Sequence, residues 1–251
     1  MSRTLPGAFT SPEAKRRHVR RLFATIADRY DLITRVLSYG MDGHWKRRLI
    51  RRAAVQPGER ALDLATGTGD VAFALAAGGA VVAGLDVTHR MLQLARRKQA
   101  QSDAARVSWT TADMTALPFP DSTFVIVTTS YGLRNVPDLD QAIAEITRVL
   151  APGGRFLSLD FNRPSSPVVR AVYLAYLGAV GALLGWLLHG DPDTYRYIPA
   201  SIRHYPGAAG VADRLRHAGL TGVAAIPVLA GLMTIHVAHA PNRPSPLTLL
   251  S

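Results

Sequence analysis

Cysteine is absent from the 251 residues, which excludes disulfides and thiolate metal sites and fits a reducing cytoplasm. Acidic residues are few, 18 against 29 Lys and Arg, for a formal net charge of +11. Aromatic residues make up 7%. None interleaves the basic run near the start, as stacking on RNA bases would require, so nucleic acid is not an expected partner. The opening MSRTLPGAFTSPEAKRRHVRRL has no apolar stretch after its basic residues and does not read as a secretory signal. One long uncharged run exists, Ala171 to Leu188, whose 18 positions touch the lower limit for a membrane span. Its Gly178, Gly181 and Gly185, set among Tyr173, Tyr176 and Trp186, suit lipid poorly. A buried or interfacial helix lining an apolar pocket is expected instead.

What is present is an apolar fraction of 48%, ample for a core. The charge is unevenly distributed: residues 1–52 hold thirteen Lys and Arg against Glu13, Asp28, Asp31 and Asp42, a net +9. Such an end is either a solvated helix face or a contact for an anionic partner such as lipid head groups.

Residues 12–29 read as an amphipathic helix with Val19, Leu22, Phe23 and Ile26 on one face, and a second helix is expected over roughly 44–54 after the loop SYGMDGH. Short apolar runs then alternate with helical segments. Strands are expected at Arg60–Leu64, Val81–Asp86, Val107–Thr110, Phe124–Ser130 and Arg155–Phe161, with helices at Asp70–Ala77, Arg90–Gln101 and Leu139–Leu150. The runs are too continuous for one-sided burial, which indicates a parallel sheet covered on both faces. The turn Ala151-Pro-Gly-Gly154 separates the last helix from its strand, and runs near 222–229 and 232–238 suggest a closing hairpin. There is no internal repeat.

The segment Leu62-Asp-Leu-Ala-Thr-Gly-Thr-Gly-Asp70 joins a strand to a helix through a glycine-rich turn. Gly67 and Gly69 permit close backbone approach to a ligand, and Thr68 lies between them. The pattern Gly67-Thr-Gly69-Asp-Val-Ala72 admits NAD, FAD or S-adenosyl-L-methionine. Asp63 lies in the first strand, and Asp86 ends the second, where a carboxylate can accept ribose hydroxyls. Asp113 and Met114 follow the third strand, with the acid suited to an adenine amino group. Next come Leu117-Pro-Phe-Pro-Asp-Ser-Thr-Phe124 and Ser130-Tyr-Gly-Leu-Arg-Asn135. This order resembles class I methyltransferases rather than dehydrogenases, and the helix following Gly69 would favour the methionine carboxylate electrostatically.

Four further blocks carry a closer likeness: Tyr30-Asp-Leu-Ile-Thr-Arg-Val-Leu-Ser38 with Asp42-Gly-His-Trp45; Tyr131-Gly-Leu-Arg-Asn-Val-Pro137; Arg148-Val-Leu-Ala-Pro-Gly-Gly154 with Leu159-Asp-Phe161; and Gly190-Asp-Pro-Asp-Thr-Tyr-Arg-Tyr-Ile-Pro199 with Ser201-Ile-Arg203. Together they resemble the ubiquinone/menaquinone-biosynthesis C-methyltransferases from about residue 22 to 238. Thr34, Ala151 and Asp160 depart from that pattern, where asparagine, lysine and glutamate are usual, and Asp42 replaces a frequent histidine.

The resemblance implies an α/β fold of the class I S-adenosylmethionine-dependent methyltransferase type, a Rossmann-like, doubly wound sheet with a C-terminal antiparallel hairpin. It implies a basic helical segment over 1–55 capping the substrate site and a methyltransferase domain over 56–240 with a helical insertion at about 165–205. A disordered tail is expected over 241–251. The implied cofactor is S-adenosyl-L-methionine, held by Asp63, Gly67, Thr68, Gly69, Asp86, Asp113, Met114 and Ser130. The implied reaction is C-methylation of a polyprenyl quinol ring, demethylmenaquinol or a 2-polyprenyl-6-methoxy-1,4-benzoquinol. An attacking ring carbon needs charge pushed from a deprotonated hydroxyl, so the site needs a base or a cation. Arg134 fits the cationic role, Asn135, Tyr30, Tyr195 and Tyr197 the substrate contacts, and His44 the base. No metal is required, and His236 and His239 do not make a metal site. A cytoplasmic enzyme at the inner face of the membrane follows, with peripheral contact to anionic lipid and room for a homodimer. Other readings are a methyltransferase of a soluble phenol, an RNA-binding protein, or a non-catalytic subunit of quinone synthesis.

Overall fold

The computed structural model describes residues 5–38, 40–101 and 107–242. Three helices open the chain: α1 (Pro12–Ile26), α2 (Tyr30–Leu37) and α3 (Asp42–Ala53). Ser11 caps α1, its hydroxyl accepting the Ala14 N–H, with proline at the first helical position. A single 3-10 turn at Ala27–Arg29 separates α1 from α2, so the expected helix over 12–29 ends three residues early. α2 is an element that the sequence reading did not separate. α3 begins at Asp42, inside the expected loop, and buries Trp45, Leu49 and Ala53 at four-residue spacing.

Strand–helix alternation follows: β1 (Arg60–Leu64), α4 (Asp70–Ala77), β2 (Val81–Asp86), α5 (His89–Ala100), β3 (Val107–Thr111), β4 (Phe124–Ser130), α6 (Leu139–Val149) and β5 (Leu150–Phe161). Then come α7 (Pro167–His189), α8 (Tyr197–His204), α9 (Gly207–His217), β6 (Thr221–Val228) and β7 (Met233–His239). The seven strands form one sheet in the order β3-β2-β1-β4-β5-β7-β6. The first five are parallel, and β7 runs antiparallel to both β5 and β6. The expected hairpin is therefore present. The glycine turn at 151–154 is a bulge within β5: Phe124 pairs with Leu150, but Ile126 pairs with Arg155, and Gly153 takes a φ of 72°.

Alternation along the strands sends neighbours to opposite faces. Leu62, Leu64, Val127 and Phe156 join a core under α6 and α9 with Ile143, Ile146 and Leu215. Ala61, Ile126, Leu157 and Leu159 join another, closed by α4 and by Trp45 and Leu49 of α3. Residues 42–53 thus cover the sheet as well as belonging to the basic N-terminal segment. Arg155 holds this end in place, donating to the carbonyls of Ala53 and Ala54 and to Glu59. Of the tail expected over 241–251, residues 243–251 lie outside the described residues.

Gly84 in β2 marks a close approach: a Cβ there would lie 2.6 Å from the Trp109 ring. Gly84→Ala is expected to lower unfolding free energy by about 1–3 kcal/mol through overpacking, read as a shifted urea midpoint. An unchanged midpoint would show that the ring yields freely.

Candidate active site

The strand order reverses direction between β1 and β4, and the carboxyl ends of β1, β2, β3 and β4 meet at that switch point, where open α/β sheets bind ligands. A cavity of about 660 Å³ opens there, lined by Gly67, Asp86, Asp113, Met114 and Ser130 from the sheet edge and by Arg16, Phe23 and Tyr30 from α1 and α2. Asp86 Oδ2 accepts the Gly67 N–H at 2.9 Å and Oδ1 the Thr88 N–H at 2.7 Å. Burial pushes its carboxyl up to about 6, against the lowering effect of those hydrogen bonds. Gly67 faces Tyr30, whose ring carbon would be 3.6 Å from an added Cβ.

The remaining predicted cofactor residues divide. Asp63 is buried beneath the turn, accepting from Thr66 Oγ1 at 2.6 Å and Thr128 Oγ1 at 2.7 Å. Burial raises its pKa to about 6. Thr68 lines a smaller polar recess of about 280 Å³ with Asp63, Asp70, Lys46 and Ser130. Its hydroxyl donates to Asp31 and accepts from Lys98. Gly69 lines neither space: at φ 91° it starts α4, and a Cβ would strike Trp109 at 2.7 Å. Its glycine serves the turn and its packing. Asp113 lines the cavity, but its carboxylate is already engaged, Oδ2 by Arg16 Nε at 2.9 Å and Oδ1 by the Thr115 N–H and hydroxyl. An adenine amino group would share Oδ2 with Arg16. Ser130 Oγ is buried at the wall with no partner among the described residues.

A second cavity, about 610 Å³ and mostly apolar, lies beside the first, walled by Leu22, Ile26, Ile33, Leu37, Tyr195 and Ile198. Phe23, Tyr30, Tyr131 and Asn135 line both, so the two spaces share one wall. Asn135 Nδ2 donates to the Tyr131 carbonyl at 2.8 Å, which leaves Oδ1 buried without a partner. Arg134 reaches the second cavity but is not a free cation. Its Nε lies 3.4 Å from Asp160 Oδ1, its N–H donates to Asp160 Oδ2 at 3.1 Å, and Nη1 donates to Ser201. Asp160, one methylene shorter than the glutamate usual in the resembled pattern, still reaches this guanidinium.

His44 is exposed on α3 and lines none of these cavities, so the base expected there lacks a geometric basis. Tyr195 and Tyr197 do line the second cavity. His236 is buried between Ser158 Oγ and the Ala208 carbonyl, whereas His239 is exposed. Among the described residues no group of three His, Asp or Glu could hold a metal.

Sequence reasoning missed Arg16, Lys46, Phe23 and Tyr131 as site residues. Lys46 lies between Asp42 at 2.7 Å and Asp70 at 3.0 Å; burial lowers its pKa, but the two carboxylates raise it by more. Tyr131 donates to Asp42 at 2.7 Å. Only the position of Tyr131 beside the Gly-Leu-Arg-Asn block could have signalled it.

Ribose hydroxyls, were they to donate to Asp86, would favour its ionised form, and cofactor binding would then expel a proton below its pKa of about 6. Affinity for S-adenosyl-L-methionine is expected to be flat above about pH 7 and to fall by up to about tenfold per unit as pH drops below 6. Titration calorimetry across that range reads this, and Asp86→Asn should bind weakly with no such slope. A flat wild-type profile would exclude ionised Asp86 as the acceptor.

The residues fit the expected cofactor: a glycine turn, a buried carboxylate at the second strand and an orphaned Ser130 hydroxyl share one cavity. A family model described as the ubiE/COQ5 methyltransferase family matches residues 11–240. The chain is 41% identical over 222 residues to a demethylmenaquinone methyltransferase of Thermus thermophilus, covering 88% of this chain and 100% of that one. It is 38% identical to the ubiquinone/menaquinone biosynthesis C-methyltransferase UbiE of Methylobacterium nodulans, over 89% of this chain and 91% of that one. A solved SAM-dependent methyltransferase of Thermotoga maritima superposes with a TM-score of 0.62 at 17% identity, covering 88% and 99% of the two chains, which shows the fold. A glycine turn, strand-end acids and sheet order that methyltransferases share, together with a match across nearly the whole chain, make this chain a member of the ubiE/COQ5 methyltransferase family.

Proposed function

We propose that the chain transfers the methyl group of S-adenosyl-L-methionine to a ring carbon of a polyprenyl quinol, demethylmenaquinol, a 2-polyprenyl-6-methoxy-1,4-benzoquinol, or both, with S-adenosyl-L-homocysteine as the leaving group and the ring carbon's hydrogen lost as a proton to solvent. The names of the relatives support this reaction. The observation that carries the reading here is the wall shared by a polar-edged cavity and an apolar one, at Phe23, Tyr30, Tyr131 and Asn135. Bound in the first, the cofactor supplies an electrophilic methyl group. The second takes the quinol ring and the first part of its tail, gaining roughly 25 cal/mol per Å² of apolar surface buried.

The chain's own residues orient and polarise the ring. The unpartnered Oδ1 of Asn135 accepts the hydrogen of a ring hydroxyl, its amide held in register by the Tyr131 carbonyl. Arg134 supplies positive potential toward a developing phenolate, moderated by Asp160. Lys15 adds to that potential; burial and the neighbouring Arg134 bring its pKa down to about 8. Residues 12–54 close the site from above, and Tyr30, over Gly67, keeps water from the methyl group's path. A membrane-soluble acceptor sets the enzyme at the cytoplasmic face of a membrane.

Methyl transfer from labelled cofactor to a demethylnaphthoquinol and a demethyl-methoxybenzoquinol tests the reading. Arg134→Ala alone leaves Asp160 buried and unpaired and should cost about 3–5 kcal/mol of stability. The discriminating variant is therefore Arg134→Ala with Asp160→Asn. It should remain folded and bind cofactor, but turn over at least about a hundredfold more slowly. Turnover within a few-fold of wild type would remove Arg134 from the chemistry, and no product from either quinol would return the acceptor to the soluble phenols.

A further inference from the structure

α7 has two unlike faces. Tyr173, Leu174, Leu177, Gly181 and Gly185 are buried. On the opposite side Val168, Val172, Ala175, Ala179, Leu183 and Trp186 are all exposed. Their spacing of four, three, four, four and three residues is the helical period, so they form one stripe about 27 Å long at 1.5 Å per residue. Val168, Val172 and Trp186 are 71%, 67% and 63% exposed, and Leu187 widens the stripe at its end. An apolar surface of this extent marks an interaction site.

The border of the stripe says what covers it. No acidic residue occurs between Asp160 and Asp191, while Arg163 and Arg170 do. A groove beside the stripe is lined by Ala175, Ala179 and Ala182 of α7, by the α8 residue Arg203 and by Arg196 just ahead of α8. The two arginines are exposed, seven residues apart. Arg196 shares its charge with Asp193, whereas Arg203 has no ion pair among the described residues. An apolar stripe with an indole at one end and guanidinium groups alongside matches an anionic lipid interface. A second copy packed stripe to stripe would instead set these arginines against their own kind.

We infer that α7 and its groove with α8 form the docking surface for an anionic bilayer. Val172, Leu183, Trp186 and Leu187 enter the acyl boundary, and Arg196 and Arg203 meet the phosphates. This rests, for its purpose, on the prenyl-quinol reading. The inner face of the same helix, at Val180, Leu184 and Leu188, packs with Ile33, Leu37 and Tyr195, which wall the acceptor cavity. One helix diameter, about 10 Å, then separates that cavity from the lipid that stores its substrate.

The test uses the full chain and vesicles of phosphatidylcholine with and without phosphatidylglycerol. Trp45 is buried and Trp109 partly so, so quenching by brominated acyl chains should be dominated by Trp186 and be lost in Trp186→Phe. Leu183→Ser/Trp186→Ser/Leu187→Ser should weaken binding to anionic vesicles by at least about tenfold, and Arg196→Gln/Arg203→Gln should abolish the preference for phosphatidylglycerol. Both variants should methylate a tail-less soluble quinol at the wild-type rate. Vesicle binding unchanged by the triple substitution would overturn the inference, as would a stripe that proves to hold a dimer in solution and leaves no vesicle binding. Docking through the stripe by an enzyme that methylates no quinol would support the surface and sink the acceptor assigned above.

Discussion

One carboxylate holds the site's floor together. Asp86 accepts from the backbone of Gly67 and of Thr88, tying the turn after β1 to the turn after β2 across the switch point. Asp63 does the same one layer down, joining the β1 turn to β4 through Thr66 and Thr128. Burial makes both groups harder to ionise, and the hydrogen bonds they accept, with the charge of Lys46 at Asp63, offset part of that desolvation. Removing either partner would leave a polar group stranded. These hydrogen bonds are made among the sheet's own turns, so the folding of the sheet sets the conformation of the glycine turn.

The sheet provides only that floor. Its roof is the basic N-terminal segment, clasped by ion pairs that bridge long stretches of chain: Arg16 to Asp113, Asp28 to Arg90, Asp31 to Lys98 and Lys46 to Asp70. The exposed pairs among these contribute about 0–1 kcal/mol each, so their effect lies in orientation. They set Phe23 and Tyr30 over the boundary between two cavities whose contents differ in polarity. Part of the charge excess that suggested an external anionic partner is thus spent internally, on carboxylates of the sheet's loops. The buried Arg134–Asp160 pair fixes the far wall in the same way, because a guanidinium held at two points, by Asp160 and by Ser201, cannot swing away from the cavity it reaches.

The sheet was legible because parallel strands buried on both faces leave continuous apolar runs: Arg60–Leu64, Val81–Asp86 and Phe124–Ser130 carry the expected bounds. Among the short helices α4, announced by the glycine turn before it, was read at its true bounds, whereas α2, α8 and α9 were not. α2 has eight residues and no side-chain cap, α8 likewise, and α9 opens on glycines with no cap signal, so neither period nor boundary stood out. In the site, Asp86 and Ser130 could be read because they end strands. The engagement of Asp113 by Arg16, 97 residues away, and of Asp42 by Tyr131, 89 away, has no local signature. His44 shows the converse error: residue type suggested chemistry, but its turn of α3 faces solvent.

The uncharged run 171–188 links the acceptor cavity to the outer surface of the molecule. Its glycines made it a poor lipid-facing helix by composition, and two of them do not face outward. A Cβ on Gly181 would sit 3.2 Å from that of Tyr195, and one on Gly185 would collide with the Asp191 carbonyl. They let the following loop lie against the helix, which brings Tyr195 to the acceptor cavity. With Gly181 and Gly185 assigned to the inner face, the exposed stripe consists of valine, alanine, leucine and tryptophan, and Gly178 opens onto the groove beside it. The lack of charge over eighteen residues therefore has two separate causes on opposite sides of one helix. The inner side needs small residues for close packing. The outer side carries larger apolar ones that nothing within the described residues covers, and that difference in size is what a one-dimensional reading of the run conceals.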